Sequence, residues 1–191
     1  MKPLRTLTLA GPLYRVVRAG WSDPLDGTWS QMMGDRRWNT ADFPALYCCL
    51  SLDVARAVTR DLLGFAGLEL LDLQPAYRPR LVEVGWSGEL VDVATARGVA
   101  AAGFPETYPE GVARSTTRRA AVRWQRQGRE GVACRSASLH RLGLAEWSGP
   151  YERFGEAALF VETCRTPPVL LGHRDDILWL QPVGAGDRAA P

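Results

Sequence analysis

The sequence predicts a single mixed α+β domain. Its 191 residues fit one domain that can bury a substantial core. Short apolar or alternating runs, typical of strands, lie between segments with the spacing of amphipathic helices. No linker or repeat divides the chain, so we assign 1–191 to one domain. Its core is expected at about 13–180, followed by a small, polar, flexible tail from about residue 184.

Composition and charge narrow the class of protein. The hydrophobic fraction of 46% and the charged fraction of 23% are ordinary for a soluble globular protein. A net charge of +2 gives no electrostatic basis for binding nucleic acid or a membrane. No apolar run reaches membrane-spanning length, and the first residues, 1–5, lack the apolar core of a signal peptide. The expected location is therefore the cytoplasm.

The cysteines and histidines argue against a metal site. None of the four cysteines has metal-ligand spacing, and only two histidines are available to help them. Free, buried thiols in a reducing compartment are the simplest explanation for Cys48, Cys49, Cys134 and Cys164.

The first strand is predicted over 13–18. Its alternation places Tyr14 and Val16 on one face, with Arg15 and Val17 on the other. Arg15 is then either an edge residue or a cleft residue. Residues 19–44 are loop-rich, and such a long irregular stretch is more often functional than filler.

The remaining elements follow from periodicity and capping. A strand at 45–50 precedes a helix that begins after Ser51 and ends at about Leu63, before Gly64. A short alanine-rich helix ends at Gly103, and a second helix covers 112–127 with an arginine-rich face that we interpret as solvated. Further strands are predicted at 68–73, 81–86, 90–93, 131–136, 158–163 and 177–180.

The segment 34–47 is the strongest candidate for a binding site. It contains Arg36, Arg37, Trp38, Asn39 and Tyr47 in a polar turn that leads into a strand. Guanidinium pairs suit a pyrophosphate, and the two aromatic rings suit stacking on a base or nicotinamide. The alternative interpretation is a surface turn with an arginine pair and two core aromatics.

Several common catalytic machineries are absent from the sequence. It has no Gly-x-Ser-x-Gly elbow, Walker loop, dinucleotide fingerprint or His-Glu-x-x-His helix. A Ser-His-Asp triad would need Ser136 or Ser138 with His140 or His173, and nothing in the spacing selects it. An arginine-rich, aromatic cleft with a strand-terminal serine would instead bind a phosphorylated ligand that contains a ring.

Short motifs follow one another along the chain in a recognisable order. Arg15 lies in an early strand, and Arg37-Trp38-Asn39 precedes a Pro-x-Leu-Tyr strand at 44–47 and a helix that starts at Ser51. Later come Leu-Val-Glu-Val at 81–84, Leu-x-Asp at 90–92 and Gly-x-x-x-x-Ser-Ala at 131–137. This order, which covers residues 13–180, resembles the RES domain family, the toxin halves of Xre–RES toxin–antitoxin pairs.

The resemblance implies a fold, an activity and partners. The family fold is similar to ADP-ribosyltransferase toxins, with small antiparallel sheets and flanking helices around a NAD-binding cleft. The implied activity is cleavage of the nicotinamide–ribose bond of NAD by hydrolysis or phosphorolysis, with NAD as substrate and no cofactor. The implied partner is an Xre-type antitoxin protein, and a homodimer within the toxin–antitoxin complex is possible.

The resemblance also implies roles for individual residues. Arg15 and Arg37 would hold the phosphates of NAD, and Tyr47 would pack against its nicotinamide-ribose end. Ser136 would hydrogen-bond in the same cleft. The rest of the substrate-binding segment would be Trp38 and Asn39.

The sequence departs from the family where a helix glutamate is expected. That position is Val58, and the nearest carboxylate, Asp61, is either a catalytic substitute or a solvated acid near Arg60. Arg135 also replaces the usual proline before the serine. A second hypothesis is therefore a catalytically weak or inactive RES-like domain that binds a nucleotide or a partner. A third is ADP-ribosyl transfer to a protein.

Overall fold

A computed structural model describes residues 3–33, 36–174, 176 and 178–180. Gly34 and Asp35, at the start of the arginine segment, lie outside the described residues, as do Ile177 and the predicted tail from 184.

Among the described residues, six strands form one sheet. The strands are β1 (Thr6–Arg18), β2 (Ala45–Cys49), β3 (Pro79–Val93), β4 (Gly131–Arg135), β5 (Gly155–Phe160) and β6 (Val169–Arg174). Their order is β1-β2-β5-β4-β3-β6, and β1 also pairs with β3, so that β1 to β5 close into a ring. β6 pairs with β3 and is not part of the ring. The β3–β4 pair is parallel and the other described pairs are antiparallel. This architecture confirms the predicted α+β class.

Side-chain alternation along the strands creates two cores. One face of the ring carries an apolar cluster from all five ring strands, including Leu13, Leu46, Val84, Ala133 and Leu159. No helix residue belongs to this cluster among the described residues, so it fills the inside of the ring. The outer face packs against helices and carries the candidate site described below.

Five α-helices surround the sheet in the described part of the chain: α1 (Thr28–Met33), α2 (Leu52–Ala66), α3 (Ala96–Ala102), α4 (Arg114–Arg126) and α5 (Ala137–Arg141). Ser51 caps α2 as predicted, since its hydroxyl accepts a hydrogen bond from the Val54 amide at 3.3 Å. The helix continues through Gly64 and ends at Gly67, whose φ of 62° is the left-handed conformation of a C-cap. The helix therefore ends at the glycine that adopts the left-handed conformation, Gly67, and not at Gly64, which stays helical.

Three predicted strands differ from the structure. Residues 68–73 form a 3-10 turn at Leu70–Asp72, where the Asp72 carboxylate accepts from the Glu69 amide at 3.1 Å and Leu71 is exposed. The predicted strand at 158–163 begins earlier, at Gly155, and ends at Phe160. The predicted strand at 177–180 is a 3-10 turn over Leu178–Leu180, and β6 was not predicted because its leucines do not alternate with polar residues.

Two predicted strands, 81–86 and 90–93, are parts of one. β3 runs without interruption from Pro79 to Val93 and pairs with β1 along its whole length. β1 likewise begins at Thr6, seven positions before the predicted start, because Thr6 to Pro12 pair with Val91 to Gly85. Long-range pairing therefore extended both strands beyond their local apolar signals.

In the described part of the chain, no helix is long and apolar enough to cross a membrane. The four cysteines are free. Among the same residues, no three His, Cys, Asp or Glu side chains are grouped so that they could hold a metal ion.

Candidate functional site

Tyr47 is held in place by the segment that precedes β2. Its hydroxyl donates to Asn39 Oδ1 at 2.9 Å and accepts from the Trp38 backbone amide at 2.9 Å. Asn39 is fully buried, and its Nδ2 donates to the carbonyl oxygens of Ser30 at 2.7 Å and Thr40 at 3.1 Å. The structure thus corrects the predicted ligand contact of Asn39, because its amide is used to position Tyr47 and the turn.

The Trp38 ring belongs to the core. Only 1% of the residue is exposed, and its ring stacks on Trp124 with centroids 5.9 Å apart. Its Nε1 donates to the sulfur of Cys134 at 3.1 Å. A ring enclosed in this way cannot stack on a ligand, so the prediction for Trp38 is corrected to the core interpretation that the sequence had left open.

Arg37 is the candidate anion-binding side chain. It is partly buried, and its guanidinium lies over the Tyr108 ring, 5.9 Å from the centroid. Its Nη1 is buried and has no hydrogen-bond partner among the described residues. A buried donor without an acceptor is costly, and a phosphate oxygen would satisfy it.

Arg15 is neither at a sheet edge nor beside the Tyr47 ring. It is 7% exposed, and it donates through Nη1 to the Tyr47 carbonyl at 3.2 Å and through Nη2 to the Asp26 carbonyl at 3.1 Å. Tyr14 pairs with Cys49, so Tyr14 shares a face with Cys49 and Tyr47, while Arg15 leaves the sheet on the other face. Its contacts tie the 21–29 loop to β2 and do not bring it to Arg37.

Ser136 is buried where β4 leads into α5. Its hydroxyl accepts from the Leu139 amide at 3.4 Å, which makes it the N-cap of α5, and its own amide donates to the Phe154 carbonyl at 2.9 Å. The same hydroxyl lies near enough to the Glu156 carboxyl to lower its pKa. The predicted strand-terminal serine therefore lies near an acid.

Glu156 was not among the site residues that the sequence predicted. It lies on β5, paired with Cys49 of β2 on one side and with Cys134 of β4 on the other. Burial raises the pKa of its carboxyl, whereas the nearby Ser136 hydroxyl and the charges of Arg37 and Arg141 lower it. The one sequence signal was a single acid among the small and apolar residues of 155–160. The strand was predicted at 158–163, so Glu156 fell outside it.

Asp61 is near this group but is already engaged. Its carboxylate accepts from Ser138 Oγ at 2.7 Å and from Arg141 Nε at 3.0 Å, and Arg141 Nη2 also contacts it. The hydrogen bond from Arg141 is the main reason that its pKa lies below the ordinary value. The interpretation of a solvated acid beside Arg60 is therefore corrected: Asp61 joins α2 to α5.

Val58, where the resemblance places a glutamate, packs against the apolar cluster formed by α2 and the sheet. Arg135 donates to the carbonyls of Ala94 at 3.1 Å, Glu106 at 2.7 Å and Tyr108 at 2.9 Å. Both departures from the family pattern are thus structural residues here.

The site combines a cation, a phenol, a serine hydroxyl and a desolvated carboxylate on one face of the sheet. Its thiols are poor nucleophiles, because burial raises the pKa of Cys134 to about 12 and that of Cys49 well above its usual range. Such a set can bind an anion and stabilise positive charge that develops as a bond breaks.

Comparisons with known proteins agree with this fold. A family model described as the RES domain matches residues 12–147. A chain in the crystal structure of the M. tuberculosis MbcT–MbcA toxin–antitoxin complex is similar, with a TM-score of 0.70 and 18% identity over 88% of this chain and 85% of that one. No curated protein matches the sequence. Because the family model spans well over half of the chain, this protein belongs to the RES domain family.

Proposed function

We propose that this protein is the NAD-consuming toxin of a toxin–antitoxin pair. It would cleave the nicotinamide–ribose bond of NAD by hydrolysis or phosphorolysis. The observation that carries the proposal is the buried Nη1 of Arg37, which has no hydrogen-bond partner among the described residues and lies on the same side of the sheet as Tyr47, Ser136 and Glu156. Membership of the RES family and the shared fold of a solved toxin–antitoxin complex support it.

The groups in the site match the chemistry of this substrate. The Arg37 guanidinium would satisfy its free donor on a pyrophosphate oxygen. The Tyr47 ring, fixed through its hydroxyl by Asn39, would pack against the nicotinamide-ribose end. Cleavage leaves positive charge on the ribose, and a carboxylate beside it would lower the barrier.

The first test is loss of NAD on incubation with the purified protein. Arg37→Ala is expected to reduce kcat/KM about 100-fold or more, because the substrate loses a buried charge-assisted contact. Arg119→Ala, which removes an exposed arginine on α4, is the matched control and should behave as wild type. Wild-type turnover by Arg37→Ala would remove Arg37 from the site.

A second candidate function is nucleotide binding with little or no turnover. The specific observation in its favour is Val58, which is apolar and packs against the cluster formed by α2 and the sheet at the position expected for the family glutamate. Calorimetry separates the two: NAD that binds tightly and persists at high protein concentration would establish the binding function. Radiolabel that moves from NAD to a macromolecule would instead indicate ADP-ribosyl transfer.

We further propose an antitoxin partner of the Xre type that acts with this protein in the cytoplasm and covers the Arg37–Tyr47 side of the sheet. A homodimer inside such a complex is part of the same proposal. Co-expression with the neighbouring gene product, followed by size-exclusion chromatography with light scattering, measures both. A partner that binds while NAD turnover is unchanged would contradict the blocking arrangement.

A further inference from the structure

Glu156 lies on the face of the sheet that carries the candidate site because of its place in β5. β5 lies between β2 and β4, and the residue directly opposite Glu156 is Cys49 on one side and Cys134 on the other. Cross-strand partners place their side chains on the same face. The Glu156 carboxylate therefore emerges on the face that carries Tyr47, two residues before Cys49 on β2.

The surroundings of Glu156 differ from those of Asp61. The Ser136 hydroxyl and the charge of Arg37 both lower the pKa of Glu156 and so favour its ionised form. Asp61, by contrast, is bound by Ser138 and by the Arg141 guanidinium, which leaves it as one half of an ion pair. Of these two acids, Glu156 is the one whose pKa the charge of Arg37 lowers.

We propose that Glu156 is the catalytic carboxylate of this site and replaces the glutamate that is missing at Val58. The inference rests on the proposed NAD cleavage and assigns its acidic group. Two carboxylates in contrasting environments are the usual arrangement when one has a structural or electrostatic role and the other handles a proton.

The chemical step can be written with Glu156 in place. The bond between ribose C1′ and the nicotinamide nitrogen breaks, and its electron pair stays on nitrogen, so that neutral nicotinamide leaves. Positive charge spreads over C1′ and the ribose ring oxygen, where the Glu156 carboxylate stabilises it. Water then forms the new C1′–O bond and passes one proton to Glu156, which releases it to solvent. The products are nicotinamide, ADP-ribose and one proton.

This role favours water over phosphate as the acceptor. Water needs a base as it attacks, whereas phosphate is already anionic at neutral pH. Burial in the sheet weakens hydration of Glu156 and so strengthens its interaction with a developing cation.

The proposed role of Glu156 predicts that NAD turnover falls at low pH, which gives the pH profile an acid limb. Burial raises the pKa of Glu156, so the active carboxylate is lost as pH falls through that raised value, and turnover falls with it. The other charged groups that influence Glu156 are Arg37, Arg141 and Asp61. Burial raises the pKa of the neighbouring thiols and phenols above their ordinary values, which keeps these groups protonated at neutral pH: Cys49, Cys134, Tyr47 and Tyr108.

The test compares Glu156→Gln with Glu152→Gln, which removes the same charge from an exposed position on the preceding turn. NAD affinity is measured by calorimetry and turnover by release of nicotinamide, each with the full chain and with circular dichroism as the folding check. We expect Glu156→Gln to bind NAD within about threefold of wild type while kcat falls about 100-fold or more. Glu152→Gln should match wild type in both.

A second measurement keeps the test valid if Glu156→Gln does not fold. Ser136→Ala removes the hydroxyl that stabilises the ionised Glu156, so its acid limb should move to higher pH than that of wild type across about pH 5 to 8. If the role of Glu156 were purely structural, Ser136→Ala would lower the stability of the protein but would leave the acid limb of the pH profile where it is in wild type.

The outcomes separate the two proposals. Wild-type protein that binds NAD and does not consume it would overturn the proposed function itself. Turnover in wild type that persists in a folded Glu156→Gln variant would overturn only the assignment of Glu156. Loss of NAD binding in that variant would make Glu156 a binding residue and would equally overturn its catalytic role.

Discussion

The ion pair between Asp61 and Arg141 has a consequence at the scale of single residues. The Asp61 side chain is 10% exposed and its partner is 51% exposed, so water screens the pair only from one side. The pKa of Asp61 in the folded protein lies below its ordinary value of 3.8. Its stabilising contribution is therefore present above pH 3.8 and is lost as pH falls through the lower folded value.

Asp61→Asn should lower the free energy of unfolding by about 1 kcal/mol at neutral pH, because the charge-assisted bonds to Arg141 are lost. The deficit should vanish in acid, where wild-type Asp61 is protonated as well. Urea unfolding at several pH values measures both effects.

Asp53→Asn is the matched control on the same helix, since Asp53 pairs with Arg56 at 2.8 Å but its side chain is 83% exposed. Its effect should be smaller. Nicotinamide release by Asp61→Asn should stay within about threefold of wild type. A 100-fold loss in a folded variant would return Asp61 to the catalytic role that the sequence had suggested.

At the scale of elements, two helical glycines have opposite surroundings. Gly98 in α3 faces the carboxylate of Asp92, and an added Cβ would overlap it. That carboxylate is 1% exposed and accepts from the amides of Ala94 at 3.1 Å and Thr95 at 2.9 Å, which fixes the start of α3. An added Cβ at Gly64 in α2 would meet nothing within 4 Å, and the backbone there is not left-handed.

Gly98→Ala should destabilise the protein by about 1–3 kcal/mol, because the new methyl group must displace the Asp92 carboxylate. Gly64→Ala should stabilise it by about 0.5–1 kcal/mol, since alanine restricts the unfolded chain and fits the helix. Thermal unfolding of both variants checks the pair. Equal shifts of the same sign would contradict the contact between Gly98 and Asp92.

Local sequence patterns predicted the helices whose ends are capped. They missed the strand ends that are set by hydrogen bonding to a partner strand. Ser51 at the start of α2 and Gly103 at the end of α3 act as the sequence indicated. β1 and β3 extend beyond their apolar runs because each supplies the other with hydrogen-bond partners, which no local pattern records. The leucines of 68–73 suggested a strand, but their side chains have no sheet to pack on, and Leu71 is exposed.

The candidate site was predicted in part for the same reason. The segment with Arg37, the strand with Tyr47 and the terminal Ser136 were recognised because they are local and ordered along the chain. Glu156 became visible only when β5 was placed between β2 and β4. The resemblance assigned Arg15 to the substrate phosphates, whereas strand alternation places its side chain inside the ring.

At the scale of the whole molecule, the proposed activity should be visible in growing cells. Induced expression of the wild-type chain without a partner is expected to lower cellular NAD about tenfold or more and to stop growth, because turnover continues as long as the enzyme is present. Arg37→Ala and Glu156→Gln should leave both unchanged at equal protein levels. Growth arrest with a normal NAD level would point to a different target.

The closed ring also sets an order of assembly during synthesis. β5 is the last of the five ring strands to leave the ribosome, yet it lies between β2 and β4, which are both made before it. Until it emerges, β2 and β4 have no common neighbour, and Glu156 and Ser136 cannot meet. On the proposed function, a nascent chain therefore lacks the complete site until β5 emerges, and a chain that terminates before β5 never completes it.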